Sequence, residues 1–264
     1  MRTILLMLAC ATATVTGAGC ATETVDGEDE VGAAFDAESP GLDDPYEADS
    51  KADGAWLPRG RVAALSITID DNHAQDHAFW LQLGQTTGAR FTWFVITGRV
   101  QPMRNAAAAW HGVWDDFRAL ARAGHEIGSH SHSHNVNIAD IKTDVQTASD
   151  LIGQNIGRRP STLAYPDPAA DPRGRWKSIV EGMGFTGTRG TVGQLATTKR
   201  NANSFSAARG INLDTLVNSH GWAVAHFHNL TPELKTQVTA LVKEATRRGV
   251  WVAPFGAVAN RFPR

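Results

Sequence analysis

The chain has 264 residues, 42% of them hydrophobic and 20% charged, with a formal net charge of −2; this suffices for one large α/β domain or two small ones and excludes disorder along the whole length. Its two cysteines, Cys10 and Cys20, both lie near the N-terminus, so the remainder can hold neither an internal disulfide nor a cysteine zinc site, and any metal must sit on histidines and carboxylates. No basic cluster is interleaved with aromatic residues, which argues against nucleic acid as a partner.

Residues 1–20 read as an export signal: Arg2 supplies a positive start, Ile4 to Ala9 an apolar run, and small residues from Ala11 to Gly19 a cleavage region too short and Thr-rich to span a membrane. Gly17-Ala18-Gly19 before Cys20 loosely resembles the site at which bacterial lipoproteins are cut and lipidated. The expectation is therefore a secreted or envelope-anchored protein, either free or carrying a lipid at Cys20. Residues 21–58 read as a disordered acidic tether, with twelve acidic residues against Lys51 up to Asp53. From Gly54 to Arg264 there remain 15 acids and 23 lysines and arginines, a formal +8. Dispersed solvated charge is the simpler reading of that excess, and a basic face favouring anionic polymers the other.

Residues 59–264 alternate short apolar runs with helical patterns, as expected of strands joined by crossover helices in a mostly parallel sheet or barrel. Val62 to Ile69 predicts a first strand, Ala74 to Leu83 a helical stretch, and Phe91 to Thr97 a second strand. An amphipathic helix over Val113 to Ala123 stops at Gly124 before the run His125 to Gly128. Ile138 to Ile156 predicts a longer helix and Thr162 to Tyr165 a strand ending at Pro166. Trp176 to Met183 follows as a helix, then short strands at Phe185 to Thr188 and Trp222 to Phe227. Pro232 opens a helix running to Arg248, Gly249 ends it, and Val250 to Phe255 is expected as a last buried strand. Chemistry in such folds gathers at the carboxyl ends of the strands.

Asp70 and Asp71 stand side by side at the first such end, a pair that on its own is more often a helix cap or a solvated turn. His130 and His134, at i and i+4 in Gly124 to His134, fit one face of a helical turn where two imidazoles converge on one ion; the competing reading is a solvated histidine-rich loop. His132 would then face elsewhere, as a supporting or surface residue. Asp71 with the two histidines makes three protein ligands with open positions, the arrangement of a catalytic zinc site. Asp70 beside them is placed to take a proton from water acidified there. His226 and His228 share one side of a late strand, where either can protonate a departing amine; a buried structural histidine is the alternative for each.

Taken in order, these segments resemble the polysaccharide deacetylase family, also called NodB-like or carbohydrate esterase family 4. Thr68-Ile69-Asp70-Asp71-Asn72 is similar to its motif T-F-D-D-G, and Gly124 to His134 matches G-H-E-I-G-x-H-[ST]-x-x-H nearly letter for letter. Ala89 to Val95 and Gly249 to Asn260 resemble two further family strands. The resemblance implies a distorted (β/α) barrel, a divalent metal, most readily zinc, on Asp71, His130 and His134, Asp70 as base, and a late histidine as acid, placed at His228 with His226 as alternative. The family motif R-P-P-Y is represented only by Ala164-Tyr165-Pro166-Asp167, closer to a Y-P-Y-G version; the resemblance puts Tyr165 and Asp167 at the substrate and oxyanion position, the latter through its backbone N–H. The arginine expected beside the base is absent from its usual place, and Arg189 and Arg209 are the candidates to replace it. The implied activity is hydrolytic removal of acetyl groups from an N-acetylated polysaccharide, with O-acetyl esters as the near rival. A glycan-binding protein that keeps the fold without turnover is the reading of a different class. The sequence fixes no oligomeric state.

Overall fold

The computed structural model describes residues 54–167 and 174–263; the export signal, Cys20 and the tether up to Asp53 lie outside them. Among the described residues no helix is long and apolar enough to cross a membrane. The chain is already in the fold by Leu57, which is buried, with Trp56 edge-on to Phe262.

The strands are β1 (Ala63–Ile69), β2 (Thr92–Val95), β3 (Glu126–Ser129), β4 (Thr162–Ala164), β5 (Gly187–Arg189), β6 (Phe205–Ser206), β7 (Trp222–Phe227) and β8 (Val250–Val252). They form one sheet in the order β5-β4-β3-β2-β1-β7-β6, every pairing parallel, as a near-continuous apolar strand such as β1 requires. β8 adds to β1 at Ala63 to Leu65, whereas β2 meets β1 only at Thr68 and Ile69. A parallel bridge from Arg189 to Ala202, just before β6, draws the two outer strands together, giving the expected distorted barrel.

The crossover helices are α1 (His77–Thr87), α2 (Ala108–His111), α3 (Trp114–Arg122), α4 (Ile141–Ile156), α5 (Arg175–Val180), α6 (Leu213–Asn218) and α7 (Pro232–Arg247), with α8 (Phe255–Arg261) closing the domain. Their ends are chemically marked. Asp140 accepts from the Thr143 amide to cap α4 and Gly157 ends that helix at a φ of 86°; Thr231 caps α7, with Pro232 in its first turn. Several elements differ from the sequence expectation, α2 among them. The last strand stops at Val252 because Phe255 and Gly256 turn into α8, and the short β6 and α6 between 190 and 221 carry too little periodicity to announce themselves.

Strand alternation divides the core in two. Leu65, Ile67 and Ile69 of β1, with Trp93, Ala225 and Phe227, face the outer helices. Ala64, Phe94, Trp222 and Val224 face the barrel interior, which Phe255, Val258 and Ala259 of α8 plug. Followed toward the carboxyl ends, the same interior face changes to Thr68, Asp70, His226 and Arg189, all buried. The site is thus the polar top of an otherwise apolar interior.

Candidate active site

Asp70 and Asp71 follow the last residue of β1, and the turn is forced sharply: Asp71 and Asn72 both take left-handed backbone, at φ 59° and 70°. Asn72 is the residue type that tolerates this. It is wholly buried, its amide oxygen accepting from the Ile96 N–H at 2.8 Å while its amide nitrogen donates to the carbonyls of Ile96 and His111. Those bonds lock the turn, so the two carboxylates diverge into different surroundings.

Asp71 Oδ1 lies 3.7 Å from His130 Nε2 and 3.5 Å from His134 Nε2, and one donor atom from each of the three residues falls within 4.8 Å of the others. The histidines do not lie on a helical turn, contrary to the expectation. His130 leaves β3 and the chain continues as a loop, with Ser131 and His134 at φ 67° and 56°. The amides a helix would use are taken by side chains. Asp144 on α4 accepts from the His132 and Ser133 N–H groups at 3.0 Å each, and the Ser131 hydroxyl accepts from His134 N–H at 2.9 Å. His132 faces away, its Nδ1 2.9 Å from Thr97 Oγ1, as a support of the loop.

His130 Nδ1 is 2.9 Å from the Ala164 carbonyl, an acceptor only, so the proton sits on Nδ1 and the lone pair on Nε2 faces Asp71. Burial, outweighing nearby Asp70, pushes its pKa down to about 4, so the ring is neutral. Asp71 Oδ1 is buried without a hydrogen-bond partner among the described residues. An unsatisfied carboxylate oxygen facing two imidazole nitrogens is the donor set of a divalent transition metal, and the residues fit one.

Asp70 is 3% exposed. Its Oδ2 accepts from Arg189 Nη2, while Oδ1 is buried without a partner among the described residues. Burial alone would raise its pKa; the Arg189 guanidinium and the surrounding histidines outweigh it and hold the carboxyl below the usual range. Arg189, at the end of β5, is itself 1% exposed, lies over the Phe94 ring, and donates more weakly to Gly190 O and Ser204 Oγ. Arg209 is the other candidate of the sequence reading, and the structure removes it: it is exposed in the turn after β6 and makes no ion pair among the described residues.

The late histidines part company. The Ser204 hydroxyl donates to Gly190 O at 2.6 Å, so it accepts from His226 Nδ1–H at 2.9 Å; burial and Arg189 push His226 down to about 4. His228 is half exposed, its Nε2 4.0 Å from Asp71 Oδ2. The loop carrying it is tied to the loop after β1 by buried Asp76, which accepts from the Leu230 N–H at 2.8 Å and pairs with Lys235 at 2.8 Å. Tyr165 is a correction. Its hydroxyl donates to Thr188 Oγ1 at 3.1 Å on the outer side of the sheet and its amide donates to the Arg189 carbonyl, so neither group is open to a substrate. Asp167 is exposed at φ 34° beyond β4.

Residues 59–186 match the model of the polysaccharide deacetylase family. Over that stretch the chain is similar to that family. A stretch of 138 residues is 32% identical to a gellan lyase of Bacillus sp, covering 50% of this chain but 5% of that protein. The fold is similar to that of a polysaccharide deacetylase from Mycobacterium smegmatis, with a TM-score of 0.56 and 15% identity over 77% of this chain and 91% of the other. It is similar also to a mutant of the peptidoglycan deacetylase PdaC from Bacillus subtilis, at 0.52 and 15% over 76% and 92%. A mutant CE4 family pseudoenzyme with restored enzymatic activity matches at 0.53 and 15% over 75% and 68%.

Proposed function

We propose that this domain is a hydrolase that removes acetyl groups from an N-acetylated polysaccharide, O-acetyl esters being the competing substrate class. The observation that carries the reading is the buried Asp70–Arg189 pair beside the Asp71, His130 and His134 cluster. A charged pair taken out of water is costly to keep and is retained here next to a second carboxylate with an unsatisfied oxygen. Arg189, supplied by a strand far along the chain, fills the position left open by Ala164-Tyr165-Pro166, and this favours turnover over a binding-only domain.

Asp71, His130 and His134 would hold a divalent metal, zinc by donor type; such an ion supplies Lewis-acid polarisation of the acyl carbonyl and lowers the pKa of water. Asp70, kept ionised by Arg189, offers its unpaired Oδ1 to take the proton of the attacking water. His228 is the acid that returns a proton to the departing amine, because it is accessible beside Asp71, whereas His226 is buried and held by Ser204 through Nδ1. The N–H of Asp167, at the end of β4, donates to the oxygen that becomes negative in the tetrahedral state.

Acetate release over a panel of acetylated polymers tests this. Wild type is expected to release acetate from at least one, while Asp70→Asn keeps its metal and loses release. His228→Ala should lose amide cleavage more than ester cleavage, since an alcohol leaves without much help from an acid. A metal-loaded wild type that releases acetate from no polymer would leave glycan binding as the function.

A further inference from the structure

A cavity of about 570 Å3 lies away from the cluster just described. It is lined by residues that precede or begin strands, including Arg61 before β1, Arg90 before β2 and Glu126 at the start of β3. In a parallel sheet this is the edge opposite Asp71, His130 and His228. Its origin is the way β8 occupies the first half of β1, leaving β2 joined to β1 only at its far end, so that the sheet opens below.

The wall of this opening carries Arg61, Arg90, Arg158 and Arg159, with Trp251 and Asn260 beside them. The acid within it is Glu126, already spent: Thr92 Oγ1 and the Gly256 N–H donate to one oxygen and Thr162 Oγ1 to the other, at 2.7 to 2.8 Å. Arg159 pairs with Asp150, and Arg90 donates to the carbonyls of Gly84 and Ala89. Arg61 and Arg158 are exposed and have no acidic partner among the described residues. The cavity therefore has a surplus of guanidinium groups, the donors that match a planar carboxylate in two-pronged fashion. Its size is within the range of ligand sites, roughly 300–1,000 Å3, and an indole next to an amide suits a ring with one apolar and one hydroxylated aspect.

We propose that this cavity is a second carbohydrate site, which holds the carboxylated sugars of an anionic polysaccharide. It is independent of the deacetylase reading, because it shares no residue with the cluster at the other edge. A nucleic acid would ask for a row of stacking aromatics, and one tryptophan stands here.

The test is calorimetric titration of the full chain with an oligogalacturonate, a neutral oligomer of N-acetylglucosamine, inorganic phosphate and single-stranded DNA. Oligogalacturonate is expected to bind, and the double variant Arg61→Ser/Arg158→Ser to weaken it by about tenfold to a hundredfold. Ala257→Phe, which fills the cavity without altering charge, should give a comparable loss. His130→Ala should bind as wild type does, which separates this site from the metal cluster, and so should Arg209→Ser, an exposed arginine outside the cavity. No binding of oligogalacturonate, equal losses in Arg209→Ser, or equal binding of phosphate or DNA would each overturn the proposal.

Discussion

The two edges of the sheet each bury a carboxylate, and they treat it in opposite ways. Glu126, at the amino edge, has three donors on its two oxygens and pins the first turn of α8 to β2, β3 and β4. Asp70, at the carboxyl edge, is buried as deeply but pairs through one oxygen and leaves the other bare. Backbone strain is denser at the carboxyl edge, where Asp71, Asn72, Ser131 and His134 all adopt left-handed φ, than at the amino edge, where His220 does, at a cost of roughly 1–2 kcal/mol for each non-glycine residue. A buried acid with its lone pairs filled is cohesion; one with a lone pair kept free, in a strained frame, is held in reserve for chemistry.

That contrast can be broken experimentally. The largest effect is expected from Asp70→Asn, with acetate release falling by about 10²- to 10⁴-fold in the molecules that stay folded, and the unfolding midpoint lowered as well because Arg189 is left a buried charge without its carboxylate. Acetate release unchanged in the folded Asp70→Asn molecules would make Asp70 a second Glu126. Glu126→Ala should do the reverse, costing on the order of 3 kcal/mol in urea unfolding because two buried hydroxyls and an amide lose a charged acceptor, while the remaining folded molecules keep their activity.

His125 sharpens the amino edge further. It accepts from the Phe91 N–H at 3.0 Å, stacked on that ring, and burial pushes its pKa down to about 3. The unfolded chain, with a histidine value of about 6.5, takes up the proton first as pH falls. The contribution of His125 is therefore whole above pH ~6.5 and shrinks by about 1.4 kcal/mol per pH unit toward the folded value. Urea titrations at pH 6.5 and 5 should show His125→Asn losing about 2 kcal/mol less than wild type over that interval. Equal losses would place the acid sensitivity elsewhere. The smallest effect is expected of Arg189→Lys. Arg189 holds the Asp70 carboxyl down; a looser pairing lets it rise, so the acid limb of the kcat/KM profile should move to higher pH.

Much of this was legible from local pattern. β1 and α7 follow from an apolar run and from Pro and Gly punctuation, and Asp70, Asp71, His130 and His134 from strand ends and spacing. What escaped depends on contacts across the fold. Arg189 could not be told from Arg209 in sequence, because what distinguishes it is a partner 119 positions away; the available signal was its place at the carboxyl end of a strand. Asp144 was overlooked although it sits among Ile141, Val145 and Ala148 on the buried face of α4, and a charge on an apolar stripe asks what it binds. The helical reading of His130 to His134 failed because side-chain acceptors outcompete the i to i+4 ladder there. Tyr165 was misplaced by one step of alternation, which turned its ring to the outer face.

Asp76 has a consequence for how such a site ages and warms. By holding the Leu230 amide and Lys235 at once, it couples the segment that bears Asp70 to the segment that bears His228. The two segments then come loose in a single event, so gentle heating should silence molecules outright and leave the survivors with an unaltered pH profile.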